Sequence, residues 1–225
     1  MAGNESGTGP RFVGPDGKVV DPAVVETDLR NRLAQCEGEL EEAVWQLVRF
    51  FSAVRRTGEA RACVDRLLTW TKDPHKVAAG YLGLGQLLEQ EDRYAEAEVV
   101  YANGAEIMPP TGDTGYFLHN NRGYCLNLLG RHAEAEEQCR TALALNVRRH
   151  NAHKNLGLAL AGQGQFKEAA HALLEANRRC PADGRSRRHL FELVTQHPDI
   201  LENPDLATEC EALDLKGGSK PAGKA

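Results

Sequence analysis

The sequence predicts an all-α protein, a solenoid of antiparallel helix pairs with one capping helix at each end. Three observations support this prediction. Apolar residues recur at spacings of three, four and seven, which place side chains on one face of a helix. Glycines break this spacing at the points where a helical hairpin would turn. The whole pattern then repeats along the chain, and stacking of such repeats buries their apolar faces.

The clearest hairpin lies in "LGLALAGQGQFKEAAHALLEANRRCP", residues 156–181. Gly162 and Gly164 separate its two helices, and Pro181 ends the second because proline cannot continue helical hydrogen bonding. The small residues Gly157 and Ala169 predict a close approach of the two helix backbones. The apolar face of this hairpin comprises Leu156, Leu160, Ala169, Leu173 and Ala176.

The same hairpin recurs 34 residues earlier, where Gly123 corresponds to Gly157. A third copy around Gly85 precedes that one by 38 residues, and the proline- and glycine-rich segment 109–115 explains the longer interval as a surface loop. A degenerate copy around Leu67 begins the array. The predicted hairpins span 44–77, 78–111, 116–149 and 150–183.

The flanks differ from the array. Residues 1–21 are rich in glycine and proline and predict a disordered lead, although "RFVGPDGKVV" is also compatible with a small hairpin. Asp21 and Pro22 are typical of an N-cap and a first helical turn, and they predict an N-terminal capping helix over 22–43. The remaining segments are a C-terminal capping helix over 184–197 and a mostly flexible tail over 198–225.

The repeat pattern is clearest at seven positions in each of two hairpins. In the last hairpin these are His153, Leu156, Gly157, Leu160, Ala169, Leu173 and Pro181, and in an earlier one Tyr81, Leu84, Gly85, Leu88, Ala97, Tyr101 and Pro109. They resemble the tetratricopeptide repeat, a 34-residue unit with the pattern W-x2-L-G-x2-Y, A-x3-F and P. The departures are His119 and His153 in place of Trp, Arg122 in place of Leu and Val147 in place of Pro. The resemblance implies a right-handed superhelix in which the first helix of each repeat lines a concave, partner-binding face.

The composition limits the classes of function. The 225 residues are 41% hydrophobic, enough for a substantial core. A formal net charge of −5 and a pI near 5.9 argue against general affinity for nucleic acid or for anionic membranes. Without a signal-like start or a run of 18 apolar residues, we expect a cytoplasmic protein with no membrane insertion. Six scattered cysteines without a C-x-x-C pair predict reduced thiols.

Catalytic, cofactor and metal motifs are missing from the sequence, which has no H-E-x-x-H, G-x-S-x-G, Walker loop or paired C-x-x-C. His150 and His153 stand one helical turn apart, but no carboxylate or cysteine at helical spacing completes a metal site. We therefore predict that the protein is not an enzyme and has no cofactor and no metal ion.

The resemblance implies that the first helices form a peptide-binding groove. Asparagine is a poor helix former, by up to about 0.7 kcal/mol relative to alanine, so a row of asparagines on these helices requires a reason. Side-chain amides can bind the backbone of an extended peptide, and in the family the asparagines at the positions of Asn121 and Asn155 commonly do so. The alternative is that these asparagines support the fold or are solvated. The predicted groove comprises Leu82, Gln86, Phe117, Asn120, Asn121, Tyr124, Asn127, Asn151, Lys154, Asn155, Arg185 and Arg188.

Basic residues at both ends of the predicted groove favour an acidic segment or a terminal carboxylate as the ligand. The basic run around Arg185 has the alternative of being a solvated helix end. Some family members clamp a C-terminal carboxylate with lysine and arginine, and the matching positions here lack these residues, which disfavours a chaperone tail as the ligand. The two basic groups are Arg49, Arg55 and Arg56, and Lys154, Arg185 and Arg188.

We therefore predict a non-catalytic adaptor, scaffold or co-chaperone that binds an extended segment of another protein, with acidic character as an option. Two alternatives stay open. One is a cytosolic secretion-type chaperone that acts as a homodimer, and the other is an accessory solenoid subunit of an enzyme complex. A homo-oligomer is compatible with the sequence, and no specific nucleic-acid partner is expected.

Overall fold

The structure is a computed structural model, and it describes residues 12–13, 19–35, 40–71, 73–107 and 112–215. These residues are almost entirely helical, as the sequence predicts. The chain divides into two compact units, Met1–Asp92 and Arg93–Ala225. The division falls within the turn inside the predicted hairpin 78–111.

The first unit contains two short strands and four helices. Strand β1 pairs antiparallel with strand β2, with Phe12 opposite Val20 and Val13 opposite Val19. The elements are β1 (Phe12–Val13), β2 (Val19–Val20), α1 (Pro22–Gln35), α2 (Leu40–Ala53), α3 (Thr57–Trp70) and α4 (Pro74–Gln90).

Two predictions about the N-terminal flank are wrong for the described residues. The lead over 1–21 is not wholly disordered, because its four strand residues form the small hairpin that the sequence allowed as the alternative. The described residues of the predicted capping helix over 22–43 belong to two elements, because α1 ends at Gln35 and α2 begins at Leu40, while residues 36–39 lie outside the described part of the chain. The predicted N-cap is confirmed, because the Asp21 carboxylate accepts a hydrogen bond from the backbone N–H of Ala23 at 2.8 Å. Residues 1–11 and 14–18 lie outside the described part of the chain.

The core of the first unit is formed by the facing sides of its helices. Leu47 and Phe51 on α2 pack with Val64 and Leu67 on α3, and all four side chains are buried. α1 packs against α2, and α4 packs against α3. Because each helix shows its apolar residues at a period near 3.6, one face of each helix enters this shared core.

The second unit contains seven α-helices and one short 3-10 helix among its described residues. Successive helices from α5 to α10 pack as neighbours in chain order, and α6 also contacts α8. The helices are α5 (Tyr94–Ile107), α6 (Gly112–Leu128), α7 (His132–Leu145), α8 (His150–Gly162), α9 (Phe166–Arg179), α10 (Gly184–Gln196), the 3-10 helix (Pro198–Glu202) and α11 (Pro204–Ala212).

Two features explain the hairpins of this unit. Gly130 and Gly164 adopt positive φ angles of 74° and 76°, where glycine turns the chain at the end of α6 and α8 without a steric penalty. The predicted close approach at Gly157 is confirmed, since a Cβ placed there would lie 2.7 Å from Cγ of Leu173 and 3.2 Å from the carbonyl oxygen of Ala169. The helices α8 and α9 can therefore pack this closely only with glycine at position 157.

The predicted start of α8 at 150 agrees with the structure, but three other helices begin four residues before the predicted boundaries. These are α2 at Leu40, α4 at Pro74 and α6 at Gly112. Each extension adds about one helical turn to the first helix of a pair.

The flexible tail predicted over 198–225 is wrong for residues 198–215. The 3-10 helix and α11 pack on α9, and their apolar side chains are buried in the same core as Leu173 and Leu190. The buried residues of this segment are Ile200, Leu206, Cys210 and Leu215. Residues 216–225 lie outside the described part of the chain. Across the described ranges, every helix is too short or too polar to cross a membrane.

Candidate functional site

The structure distributes the predicted groove over both units. Leu82 and Gln86 lie on α4 of the first unit. The other ten residues lie on α6, α8 and α10 of the second unit, where α6 lies beside α8 and α8 lies beside α10. We refer to the surface formed by the predicted groove positions of these three helices as the α6–α8–α10 face. Its predicted members are Phe117, Asn120, Asn121, Tyr124, Asn127, Asn151, Lys154, Asn155, Arg185 and Arg188.

Asn120 and Asn155 lie beneath this face. Their exposed fractions are 5% and 2%. The Nδ2 of Asn155 donates to the side-chain oxygen of Asn120 at 3.1 Å and to its backbone oxygen at 3.3 Å. These two amides therefore join α6 to α8 in the folded protein.

Asn121 and Asn127 are half-buried and have hydrogen-bond partners within the protein. The Oδ1 of Asn121 accepts a hydrogen bond from Nδ2 of Asn120 at 2.9 Å, and its own Nδ2 lies 3.4 Å from the hydroxyl of Tyr101. The Nδ2 of Asn127 donates to the backbone oxygen of Asn155 at 2.8 Å. The amide row thus forms a network that connects α5, α6 and α8.

Asn151 and Arg188 differ from these residues. Asn151 is half-buried on α8, and its amide makes no hydrogen bond with any residue that the structure describes. Arg188 is exposed on α10 and has no ion pair within the described ranges. Both side chains are free to contact a ligand.

Lys154 is the most unusual side chain of the face. Only 7% of its surface is exposed, yet it makes no hydrogen bond or ion pair with the described residues. Burial lowers the pKa of its ammonium group, and the positive charge of Arg185 lowers this pKa further, while Asp183 acts in the opposite direction. A buried cation without a counter-ion costs free energy, and an anion bound beside it would offset that cost.

The other charges near Lys154 are largely paired. Asp183 caps the start of α10 through the backbone N–H of Arg185, and its carboxylate pairs with the Arg185 side chain at 2.8 Å and with His150 at 3.1 Å. The hydrogen bond from Arg185 is the main reason that the pKa of Asp183 falls from 3.8 to about 2. His189 lies 3.4 Å from Glu192. Of the basic residues here, Lys154 and Arg188 are thus the ones with no partner in the described part of the chain.

The aromatic members of the face have neighbours of their own. Tyr124 packs edge-on against Tyr94, with ring centroids 6.2 Å apart. The guanidinium of Arg149 lies 4.7 Å from the centre of the Phe117 ring and covers it. Both rings are half-buried, so each leaves an edge for contact with a ligand.

Three residues near the face were not in the predicted site. Tyr101 fits a position of the repeat pattern and lies buried, but its hydroxyl reaches Asn121. Asp183 precedes a glycine and a basic helix, a pattern that indicates an N-cap. No signal in the sequence marks His189, because its proximity to Lys154 depends on how α10 packs against α8.

The basic residues of the first unit also differ from the prediction. Arg56 pairs with Glu26 at 2.5 Å and with Glu59 at 2.7 Å, and Arg49 pairs with Glu42 at 2.7 Å. Arg55 is exposed and has no ion pair with the described residues. In neither unit do three or more His, Cys, Asp or Glu side chains gather as a metal site among the described residues.

Comparisons with known proteins agree with the repeat pattern. A family model described as "Tetratricopeptide repeat" matches residues 118–146, which include much of α6 and all of α7. The Hsp70/Hsp90 co-chaperone CNS1 of Saccharomyces cerevisiae is 21% identical over 147 residues. That match covers 65% of this chain and 38% of the yeast protein, so the chain spans well under half the length of this relative.

Solved structures show the same fold. PilW, a type IV pilus biogenesis factor, has a TM-score of 0.66 and 19% identity, with 86% of this chain and 84% of that chain covered. YrrB, a TPR protein with an unusual peptide-binding site, has a TM-score of 0.62 and 17% identity, with 84% of this chain and 92% of that chain covered. At these identities the similarity indicates the architecture, a solenoid of antiparallel helix pairs.

Proposed function

The chain is a tetratricopeptide repeat protein, and we propose that it is a non-catalytic interaction module that holds an extended segment of a partner protein on the α6–α8–α10 face. Solenoid repeat proteins present extended concave surfaces of stacked repeats to their partners. The residues that we assign to binding are Phe117, Tyr124, Asn151, Lys154 and Arg188, with Asn121, Asn127 and Arg185 at their edges.

The unpaired ammonium of Lys154 is the observation that carries this proposal. Its burial without a counter-ion lowers its pKa and destabilises the isolated protein. A carboxylate bound beside it would supply the missing charge in a partly desolvated position, where charge-assisted hydrogen bonds are strongest. The bound segment is therefore acidic, through a side chain or its terminal carboxylate.

The neighbouring free groups suit the same ligand. Arg188 adds a second unpaired cation, and the free amide of Asn151 can bind the peptide backbone, because an amide both donates and accepts hydrogen bonds. Asn120 and Asn155 act beneath the face instead, where they hold α6 against α8. In this proposal the two residues support the binding surface and do not contact the ligand.

A co-chaperone role is the more specific form of the proposal. It is favoured by the similarity to the yeast protein, which is named as a co-chaperone of Hsp70 and Hsp90. Since the match covers 38% of that protein, the proposal extends to the interaction module alone, and the cytoplasmic location stays a prediction of the sequence. The homodimeric secretion-type chaperone and the accessory enzyme subunit stay predictions of the sequence.

The test is capture of partners from a native lysate of the source organism with the full chain as bait. Wild type, Lys154→Met and Lys167→Met are compared, with folding of each bait checked by circular dichroism. Lys167 is an exposed lysine on α9 of the same unit and controls for the loss of one positive charge. We expect proteins that bind wild type and Lys167→Met but are lost from Lys154→Met.

Synthetic peptides that cover the sequence of the captured partner are then tested for binding. The peptide with the highest affinity for wild type is titrated against the same three proteins. We expect affinity for Lys154→Met to be weaker by about tenfold or more, which corresponds to about 1.4 kcal/mol of binding free energy. Equal capture and equal affinity for all three proteins would contradict the proposed site.

A further inference from the structure

The first unit contains an apolar groove that the proposed function does not use. The groove lies between α2 and α4 and has a volume of about 520 Å³. That volume is within the range of sites that enclose small ligands or large side chains. Its apolar lining includes Trp45, Val48, Leu82 and Gly83, and its polar lining includes Glu42, Arg49 and Gln86.

Gly83 leaves the indole ring of Trp45 open to this groove. A Cβ at position 83 would lie 3.4 Å from Cζ3 and 3.6 Å from Cη2 of that ring. Any side chain larger than alanine would therefore occupy the space over the indole. An aromatic surface beside bare backbone offers an apolar ligand a large contact area at little entropic cost.

A second, polar cavity of about 410 Å³ adjoins the first, and Ser52 lines both. Arg55 and Glu91 are its charged residues. Glu91 pairs with Arg61 at 3.4 Å, whereas Arg55 has no ion pair within the described residues. The cavity thus presents one uncompensated positive charge, carried by Arg55 in the turn that follows the end of α2 at Ala53.

We infer that these two cavities bind a short apolar–acidic motif of an extended partner segment, with a large apolar side chain over Trp45 and a carboxylate at Arg55. Trp45 and Ser52 are seven residues apart on a helix, or about 10 Å. An extended chain covers that distance in about three residues, at about 3.3 Å per residue. Arg55 lies beyond Ser52, in the turn after α2, so this spacing is a minimum. The motif is therefore an aromatic, leucine, isoleucine or methionine residue at least about three positions from an aspartate or glutamate.

Charge complementarity selects this occupant. Gln86 is exposed, its amide has no hydrogen bond with the residues that the structure describes, and it can bind the backbone of the segment between its two anchors. Arg49 is already paired with Glu42 and adds no net charge. The inference rests on the proposed function in that the ligand is a partner segment, but the residues involved belong to the other unit and can be tested separately.

The test is selection of random linear peptides displayed on phage against the immobilised full chain. Gly83→Leu fills the space over Trp45, and Gly58→Leu is its control, because Gly58 lies on α3 and a Cβ there would meet nothing within 4 Å. Arg55→Glu reverses the charge of the polar cavity at an exposed position. Lys154→Met reports on the second unit in the same selection.

We expect wild type, Gly58→Leu and Lys154→Met to enrich peptides that carry the apolar–acidic motif. Gly83→Leu should lose them, with affinity for a synthetic copy weaker by about tenfold or more. Arg55→Glu should retain the apolar residue and exchange the acidic residue for a basic one. This exchange does not depend on whether Gly83→Leu folds well.

Three outcomes would overturn the inference. One is enrichment of the same peptides by Gly83→Leu and by Arg55→Glu. Another is enrichment of peptides that only Lys154→Met loses, which would leave the proposed function intact and assign all binding to the second unit. The third is failure to enrich any motif together with a concentration-dependent dimer that Gly83→Leu abolishes, which would make the groove a contact between two copies of this chain.

Discussion

Asn155 and Asn120 are joined by their side chains, with Nδ2 of Asn155 3.1 Å from Oδ1 of Asn120. The same nitrogen lies 3.3 Å from the backbone oxygen of Asn120. The two residues belong to neighbouring helices, α8 and α6, and both are buried. A pair of amides in a row expected to contact a ligand therefore stabilises the contact between repeats.

Replacement of Asn155 by alanine should lower the free energy of unfolding by about 1–3 kcal/mol, because it leaves the buried oxygens of Asn120 without their donor. Asn151→Ala is the matched control on the same helix. It should change stability by less than about 0.5 kcal/mol, since that amide has no partner among the described residues. Urea unfolding followed by circular dichroism measures both values. Equal stabilities for the two variants would contradict a structural role for Asn155.

The sequence could predict which helices carry the asparagines, but not which of them are covered. Helical periodicity assigns Asn120, Asn121, Asn151 and Asn155 to the first helices of two repeats. Coverage depends on the neighbouring helix, and the α6–α8 contact buries Asn120 and Asn155 while it leaves Asn151 accessible. A single-sequence pattern contains no information about that contact.

Lys154→Met should raise the free energy of unfolding of the unliganded protein by about 1 kcal/mol at neutral pH, because it removes a buried and unpaired charge. Lys167→Met, which changes an exposed lysine, should leave stability unchanged. The two variants thus distinguish a loss of binding from a loss of folding, since Lys154→Met is expected to lose the partner and yet to be more stable than wild type. Thermal unfolding of both variants checks this, and a less stable Lys154→Met would indicate that the lysine supports the fold.

The difference in the free energy of unfolding between Lys154→Met and wild type should depend on pH in a defined direction. The pKa of Lys154 is lowered in the folded protein, and its ordinary value of 10.5 applies to the unfolded chain. Between these two values the unfolded chain binds the additional proton, so wild-type stability rises with pH across that window. The difference between the two proteins should therefore be constant at lower pH and shrink as the pH approaches 10.5. A difference that widens there would contradict the assignment.

Asp183→Asn should destabilise the protein by about 1 kcal/mol near neutral pH. Asparagine retains the N-cap oxygen for α10, so the variant isolates the ion pair with Arg185 and the carboxylate's contact with His150. The pKa of Asp183 is about 2 in the folded protein and 3.8 ordinarily, so its charge stabilises above pH 3.8 and this contribution disappears as the pH falls towards 2. Unfolding curves of both proteins between neutral and strongly acidic pH check this. A difference that persists at pH 2 would mean that the cap, and not the charge, is responsible.

Much of the fold followed from the sequence because glycine and alanine positions report directly on helix packing. Gly157 and Ala169 were expected to lie at a close approach of two backbones, and they do. The starts of α2, α4 and α6 were less predictable. In each case the added turn precedes the first repeat position, and no consensus residue marks it.

Gly157→Ala should lower the free energy of unfolding by about 1–3 kcal/mol, because its Cβ would overlap Leu173 and crowd the Ala169 carbonyl. Gly184→Ala is the control within the same unit. A Cβ at position 184 would meet nothing within 4 Å, and alanine is the better helix former by up to about 1 kcal/mol, so this variant should be as stable as wild type or slightly more so. Thermal unfolding of the two variants checks the register of α8 on α9. A neutral Gly157→Ala would show that the two helices are not in this contact.

Leu206→Ala should lower the free energy of unfolding by about 2–5 kcal/mol, although the sequence assigned this position to a flexible tail. The tail interpretation overlooked that a few apolar residues suffice when they cover an existing core. Here Leu206 and Ile200 are fully buried against the core of α9 and α10, where they act as an end cap of the array. Glu202→Ala, an exposed change in the same segment, should stay within about 0.5 kcal/mol of wild type. Urea unfolding distinguishes the two possibilities, because a truly flexible tail would give equal stabilities for both variants.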